Sequence, residues 1–117
     1  MIRNGNCDIH VKSEIGKNFK LAHPIGVVIG AGVIIKDSVT IFQNVTLGSH
    51  GKESESTKEY PKVSNNVIIY SSSTLIGGIE IGQNSIIGAN SLINKDVPPN
   101  HIAYGNPMKL KKRNIEK

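Results

Sequence analysis

The chain has no tryptophan, only two phenylalanines and a single cysteine among its 117 residues. The lone Cys7 excludes an internal disulfide and fits a reducing compartment; it reads as a small buried or edge residue and not as a nucleophile. No apolar stretch approaches the roughly 20 residues of a membrane span. Polar Arg3, Asn4 and Asn6 follow Met1 where a secretory signal would carry its apolar core, so the expected compartment is the cytoplasm. Helix formers do not cluster before the final positions, and the length leaves room for one core and little else. A single domain over residues 1–117 is expected.

What the chain does have is a branched aliphatic at every sixth position. Ile9, Ile15 and Leu21 form one run, Ile29, Ile35, Ile41 and Leu47 a second, and Val63, Ile69, Leu75, Ile81, Ile87 and Ile93 a third. A period of six matches neither the 3.6 of a helix nor a plain alternating strand, so it marks a structural repeat. Four places after the aliphatic comes a small or β-branched residue, as at Val33, Val39, Val45, Val67, Ile79 and Val97. One large and one small inward side chain per unit suit short flat strands joined by tight corners, where Gly and Asn tolerate left-handed backbone angles. Three units close a triangular coil of about 18 residues. Thirteen units can be read, enough for roughly four coils of an all-β solenoid in which each coil buries its aliphatics against the next. Such a narrow core has little space for rings, which accounts for the poverty of aromatics.

Two segments break the step. Residues 48–62 are a polar stretch that cannot enter the core and must leave the solenoid as an extruded loop, a usual place for binding or gating and equally for an innocuous insertion. Leu21 to Val28 holds eight residues before Ile29 restarts the ladder. The net charge of +5 is concentrated in Lys109, Lys111, Lys112 and Arg113, within a C-terminal basic tail over 108–117. Such a run is most simply a solvated tail; it would also attract an anionic ligand carrying phosphates. Nucleic acid ranks last, because the run is short and has no interleaved aromatics.

Several stretches carry a family resemblance. Asp8-Ile9-His10, Ile15-Gly16-Lys17, His23-Pro24-Ile25-Gly26-Val27-Val28-Ile29-Gly30, Val45-Thr46-Leu47-Gly48, Pro61-Lys62, Val97-Pro98-Pro99 and Gly105-Asn106-Pro107 resemble the catalytic domain of serine acetyltransferases. More broadly the chain is similar to the hexapeptide-repeat acyltransferases, from Asp8 to Leu110. The resemblance implies a left-handed parallel β-helix that assembles as a homotrimer. It also implies His23 as general base on the acceptor hydroxyl, with Asp8 orienting and polarising it. An imidazole titrating near neutrality suits removal of a proton from an alcohol attacking a thioester, and a carboxylate on the other ring nitrogen fixes the tautomer. On spacing alone, His23 reads as a turn residue before Pro24 and Asp8 as a corner cap.

The resemblance further implies acetyl-CoA as acyl donor, its pantetheine arm lying in a groove between subunits against small corner residues, here Ser71, Gly77 and Ala89. The same small residues are demanded by the corners themselves. Lys109 and Lys112 would screen the CoA phosphates. The chain departs from the serine enzymes where they hold the amino acid: an aspartate before the base and an Arg-His pair ahead of Pro-Lys are replaced by Ala22, Glu59 and Tyr60. These departures speak against serine, and the stretch from His23 to Val28 resembles sugar O-acetyltransferases of surface-polysaccharide pathways, which implies a sugar hydroxyl as acceptor, with Tyr60 or Lys58 bonding the sugar. Serine is the alternative.

Two other classes compete with an enzyme of this kind. A zinc site needs convergent ligands, and His10, His23, His50 and His101 lack the spacing of the carbonic anhydrases that share the repeat, so no metal is expected. A purely binding solenoid would have no use for the Asp8 and His23 pair.

Overall fold

The computed structural model describes residues 2–3, 6–50 and 59–114. Sixteen short strands and no helix are found among them. Strand β1 (Ile2–Arg3) lies antiparallel on β2 (Asp8–Ile9), which opens the first coil with β3 (Glu14–Ile15) and β4 (Lys20–Leu21). The second coil is β5 (Val28–Ile29), β6 (Ile34–Ile35) and β7 (Thr40–Ile41). The third is β8 (Thr46–Gly48), β9 (Lys62–Val63) and β10 (Ile68–Ile69), and the fourth β11 (Thr74–Ile76), β12 (Glu80–Ile81) and β13 (Ile86–Ile87). Then follow β14 (Leu92–Ile93), β15 (His101–Tyr104) and β16 (Lys109–Lys112).

Successive coils stack into three faces. Face A runs β2-β5-β8-β11-β14, face B β3-β6-β9-β12 and face C β4-β7-β10-β13-β15, all parallel. The chain is thus a left-handed parallel β-helix. Register partners stand 18 residues apart in the regular coils, as Lys62 and Glu80 do (80−62), and 16 apart at the last level, as Ile86 and Ile102 do (102−86). A step of 20 between Asp8 and Val28 (28−8) absorbs the irregularity after Leu21, and a step of 28 between Thr46 and Thr74 (74−46) absorbs the loop.

The aliphatic ladder is the core. Ile29, Ile35, Ile41, Leu47, Val63, Ile69, Leu75, Ile81, Ile87 and Ile93 are all buried, each burial contributing roughly 1.5–3 kcal/mol. Ile15 and Leu21 of the first coil are only partly covered, because that coil has a neighbour on one side. Left-handed angles fall three places after the ladder residue, at Asn18, Ser38, Asn44, Asn66, Ser72, Asn84 and Asn90. Asn and Ser thus turn the corners where Gly was expected beside Asn, since their short polar side chains tolerate positive φ.

Two details differ from the sequence reading. A fifth level exists: Val97 bridges to Ile81, and β15 joins β13 with Ala103 buried in place of a large aliphatic. The ladder fades there because Ala103 and the Pro98-Pro99 corner interrupt the pattern, not because the coil stops. The basic segment is no free tail where it is described, since Lys109–Lys112 form β16, antiparallel to β15 with Lys112 opposite His101 and Lys109 opposite Tyr104. Most of the loop lies outside the described residues, as does Lys58. No helix among the described residues is long and apolar enough to cross a membrane.

Candidate active site

His23 sits on the corner between faces C and A. There the chain holds two residues more than a regular corner needs, and they push Ala22–Gly26 outward. Gly26 adopts φ +69°, the amide of Ile25 bonds to His23 O at 2.8 Å, and Asn44 N bonds to Ile25 O at 2.8 Å. The amide of Gly26 bonds to Asn6 O, and Asp8 N bonds to Val27 O at 2.8 Å. Asp8, half-buried at the start of β2, and the exposed His23, in the turn between β4 and β5, therefore belong to the same corner.

Two aromatic side chains that the sequence reading passed over stand beside His23. Phe42 follows β7 and Tyr70 follows β10 on the same corner, in register through Ala22 N to Ile41 O, Phe42 N to Ile69 O and Tyr70 N to Ile87 O, each at 3.0 Å. The Phe42 and Tyr70 rings stack with centroids 4.9 Å apart and planes 26° apart; the His23 ring lies 6.1 Å from Phe42 at 52°. An available signal was that both directly follow a ladder isoleucine, but the loop between them hides that they occupy equivalent places on successive coils.

The corner also carries two of the three small residues expected to face a pantetheine arm. Ser71 and Ala89 lie on adjoining coils, with Asn90 N bonded to Ser71 O at 2.9 Å. Beside them Gly88 offers no side chain, which fits close approach of a thin ligand to backbone groups, while Ser73 and Ser91 are buried. Gly77 is not with them. It lies on the opposite corner, between faces A and B, at φ +92° and beside His50.

Tyr60 and Glu59 are on that second corner as well. The Tyr60 ring covers Gly30 and Gly32, close enough that a Cβ on Gly30 would come within 2.6 Å of Cε1. Glu59 covers Gly78 in the same way, and with Lys62, Ile79 and Glu80 these residues line an open cleft of about 550 Å³. Within one chain the width of face A separates Tyr60 from His23, so the single acceptor site expected around both does not form in a lone subunit.

The lysines expected near CoA divide too. Lys109, opposite Tyr104, is at the His23 side of face C, whereas Lys112 lies three positions along β16, about 10 Å away, beside Asn100 and Arg113. The four histidines are spread over all three corners, and no group of three or more His, Cys, Asp or Glu capable of holding a metal is found among the described residues.

Comparison with known proteins agrees with this architecture. Residues 60–95 match the family described as bacterial transferase hexapeptide (six repeats). A putative serine acetyltransferase of Schizosaccharomyces pombe is 40% identical over 100 residues, covering 86% of the chain and 36% of that protein. The serine acetyltransferase of Staphylococcus epidermidis is 43% identical over 100 residues, 86% of the chain and 46% of that protein. The chain is a hexapeptide-repeat solenoid resembling the serine acetyltransferases. Among solved structures, serine acetyltransferase of Neisseria gonorrhoeae superposes on 95% of this hexapeptide-repeat chain and 42% of its own, with a TM-score of 0.88 and 34% identity. The soybean enzyme complexed with serine superposes on 88% of the chain and 42% of its own, with a TM-score of 0.83 and 39% identity. The chain spans less than half the length of these relatives.

Proposed function

We propose that this chain is an acetyl-CoA-dependent O-acetyltransferase. The observation that carries the reading is the shared corner of Asp8 and His23, whose segments are joined by the backbone bonds Asp8 N to Val27 O and Gly26 N to Asn6 O, in a chain whose similar proteins are serine acetyltransferases. His23 takes the proton of the acceptor hydroxyl as its oxygen attacks the thioester carbonyl; the carbon–sulfur bond breaks, and the proton passes to the sulfur of CoA. Asp8 orients the imidazole and offsets the positive charge it gains. No covalent enzyme intermediate is needed. The small residues of the same corner, Ser71 and Ala89, receive the donor arm, and Lys109 supplies positive charge on the adjoining face.

Serine is the acceptor best supported, because the relatives are named for it and one similar structure is a complex with it. A sugar hydroxyl is kept as a second reading, on the observation that Ala22 precedes the base and Glu59 places a negative charge ahead of Pro61-Lys62. A zwitterionic serine would find no ammonium partner at Ala22 and repulsion at Glu59. Two missing charge-assisted contacts, each worth about 1.5–3 kcal/mol, would weaken serine by at least about 10²-fold. The separation of His23 from Tyr60 and Glu59 supports a trimer, in which the second corner of one subunit meets the first corner of its neighbour.

Steady-state release of CoA thiol, with serine and a panel of sugars and nucleotide sugars, tests both readings. A kcat/KM for serine above that of every sugar establishes the first; a sugar exceeding serine by about 10² establishes the second; no acceptor-dependent release at all refutes the enzyme.

A further inference from the structure

On the His23 corner each coil contributes one outward residue directly after its ladder position: Ala22, Phe42, Tyr70, Gly88 and Tyr104. The column is therefore small, aromatic, aromatic, glycine, aromatic. Its two stacked rings are spaced at 4.9 Å, close to the distance between neighbouring strands of a sheet, about 4.8 Å, so the stack follows from the coil spacing. Ala22 leaves the space above Phe42 into which the His23 ring inclines. Tyr70 remains 38% exposed, and below it Gly88 offers no side chain.

The chemistry of transfer fixes what reaches this wall. An acceptor oxygen that gives its proton to His23 lies about 3 Å from a ring nitrogen, and the carbonyl carbon it attacks lies about 3–3.5 Å further on. The reacting carbonyl is thus about 6 Å from the imidazole, and the Phe42 ring, with its centroid 6.1 Å from that of His23, is a side chain within reach of it. Two groups flank that carbonyl besides the leaving sulfur. The acceptor brings hydroxyl or ionised groups; the acyl chain is apolar. A pair of stacked rings suits the acyl chain, since it offers contact area without hydrogen-bond partners.

We propose that Phe42 and Tyr70 form the wall against which the acyl group lies and that their rings set its length, admitting a two-carbon acyl group and excluding longer ones. The assignment rests on the acyltransferase reading and is independent of the acceptor. The bonds made and broken are those of the transfer itself, with the proton moving from the hydroxyl through His23 to the sulfur of CoA.

Calorimetric binding of CoA, acetyl-CoA and butyryl-CoA, without acceptor, to the full chain and to Tyr70→Ala, Phe42→Ala and Tyr70→Phe tests it. Each methylene in a fitted pocket discriminates by about 10–200-fold. The unaltered chain should prefer acetyl-CoA to butyryl-CoA by at least about tenfold, Tyr70→Ala and Phe42→Ala should reduce that preference to a few-fold, and Tyr70→Phe, which keeps the ring, should retain it. CoA without an acyl group should bind all four alike, which also shows that the variants are folded. An acetyl-to-butyryl ratio unchanged in both alanine variants overturns the wall, including the case in which the rings hold the acceptor instead. Failure of the unaltered chain to bind CoA overturns the acyltransferase reading, and the wall with it.

Discussion

At the scale of the residue, the exposed His23 contributes nothing to the aliphatic ladder, so His23→Ala should leave the melting temperature unchanged while lowering acetyl transfer by about 10²–10⁴-fold. Asp8→Asn should cost as much or less, through orientation of the ring. Turnover by His23→Ala near that of the unaltered chain would remove the proposed base. The valines that fill the inner corner positions could be read from their spacing, because a buried β-branched residue leaves a periodic apolar mark. Ser73, Ser85 and Ser91 occupy the same kind of position and are buried, yet a serine carries no such mark. Only the stacking of coils supplies their partners: Ser91 Oγ donates to Gly88 O at 2.8 Å and accepts from Gly105 N at 2.9 Å, and Ser85 Oγ donates to Pro98 O at 2.7 Å. Buried hydroxyls in the lower coils thus tie one corner to the next by hydrogen bonds, where the upper coils use valine.

At the scale of the element, the strands were legible and the last coil was not. Six-residue spacing announces strands as long as an aliphatic recurs, and it fails where Ala103 replaces one and where Pro98-Pro99 forms the corner. The Asp8 and His23 corner was legible through its resemblance, whereas Phe42 and Tyr70 were not, since their pairing depends on a register hidden by the loop. Gly82 shows how closely the last corner is fitted. A Cβ there would lie 2.7 Å from the carbonyl carbon of Pro98 and from Cα of Pro99, both backbone atoms that cannot swing aside. Gly82→Ala should therefore destabilise the fold by about 1–3 kcal/mol, read as a lowered melting temperature. Gly48→Ala is the control, because none of the described residues lies within 4 Å of its Cβ position, and it should melt as the unaltered chain does. Equal melting of the two variants would show that the Pro98-Pro99 corner yields.

At the scale of the whole molecule, the two site corners of a prism face away from one another, and exposed Ile25 and Val28 add apolar surface beside Asp8. A threefold assembly would join unlike corners and cover that surface, giving a mass near 38 kDa by light scattering (3 × 12.6 kDa). A particle of 12.6 kDa at micromolar concentration would leave His23 without the second corner and would count against the shared site. The ends of the prism raise a different matter. A stack of identical parallel coils has no internal reason to stop, since its last coil offers the next one the same amides and carbonyls that it received. The reversed strands β1 and β16 act as chain terminators in the polymer sense: each occupies the growing edge of one face with the wrong polarity for another coil. Lys109, Lys111 and Lys112 then set like charges along that outer strand, so two molecules meeting there repel instead of fusing into a fibre. The repeat dictates the cross-section of this stack, and each antiparallel strand closes one face of it against a further coil.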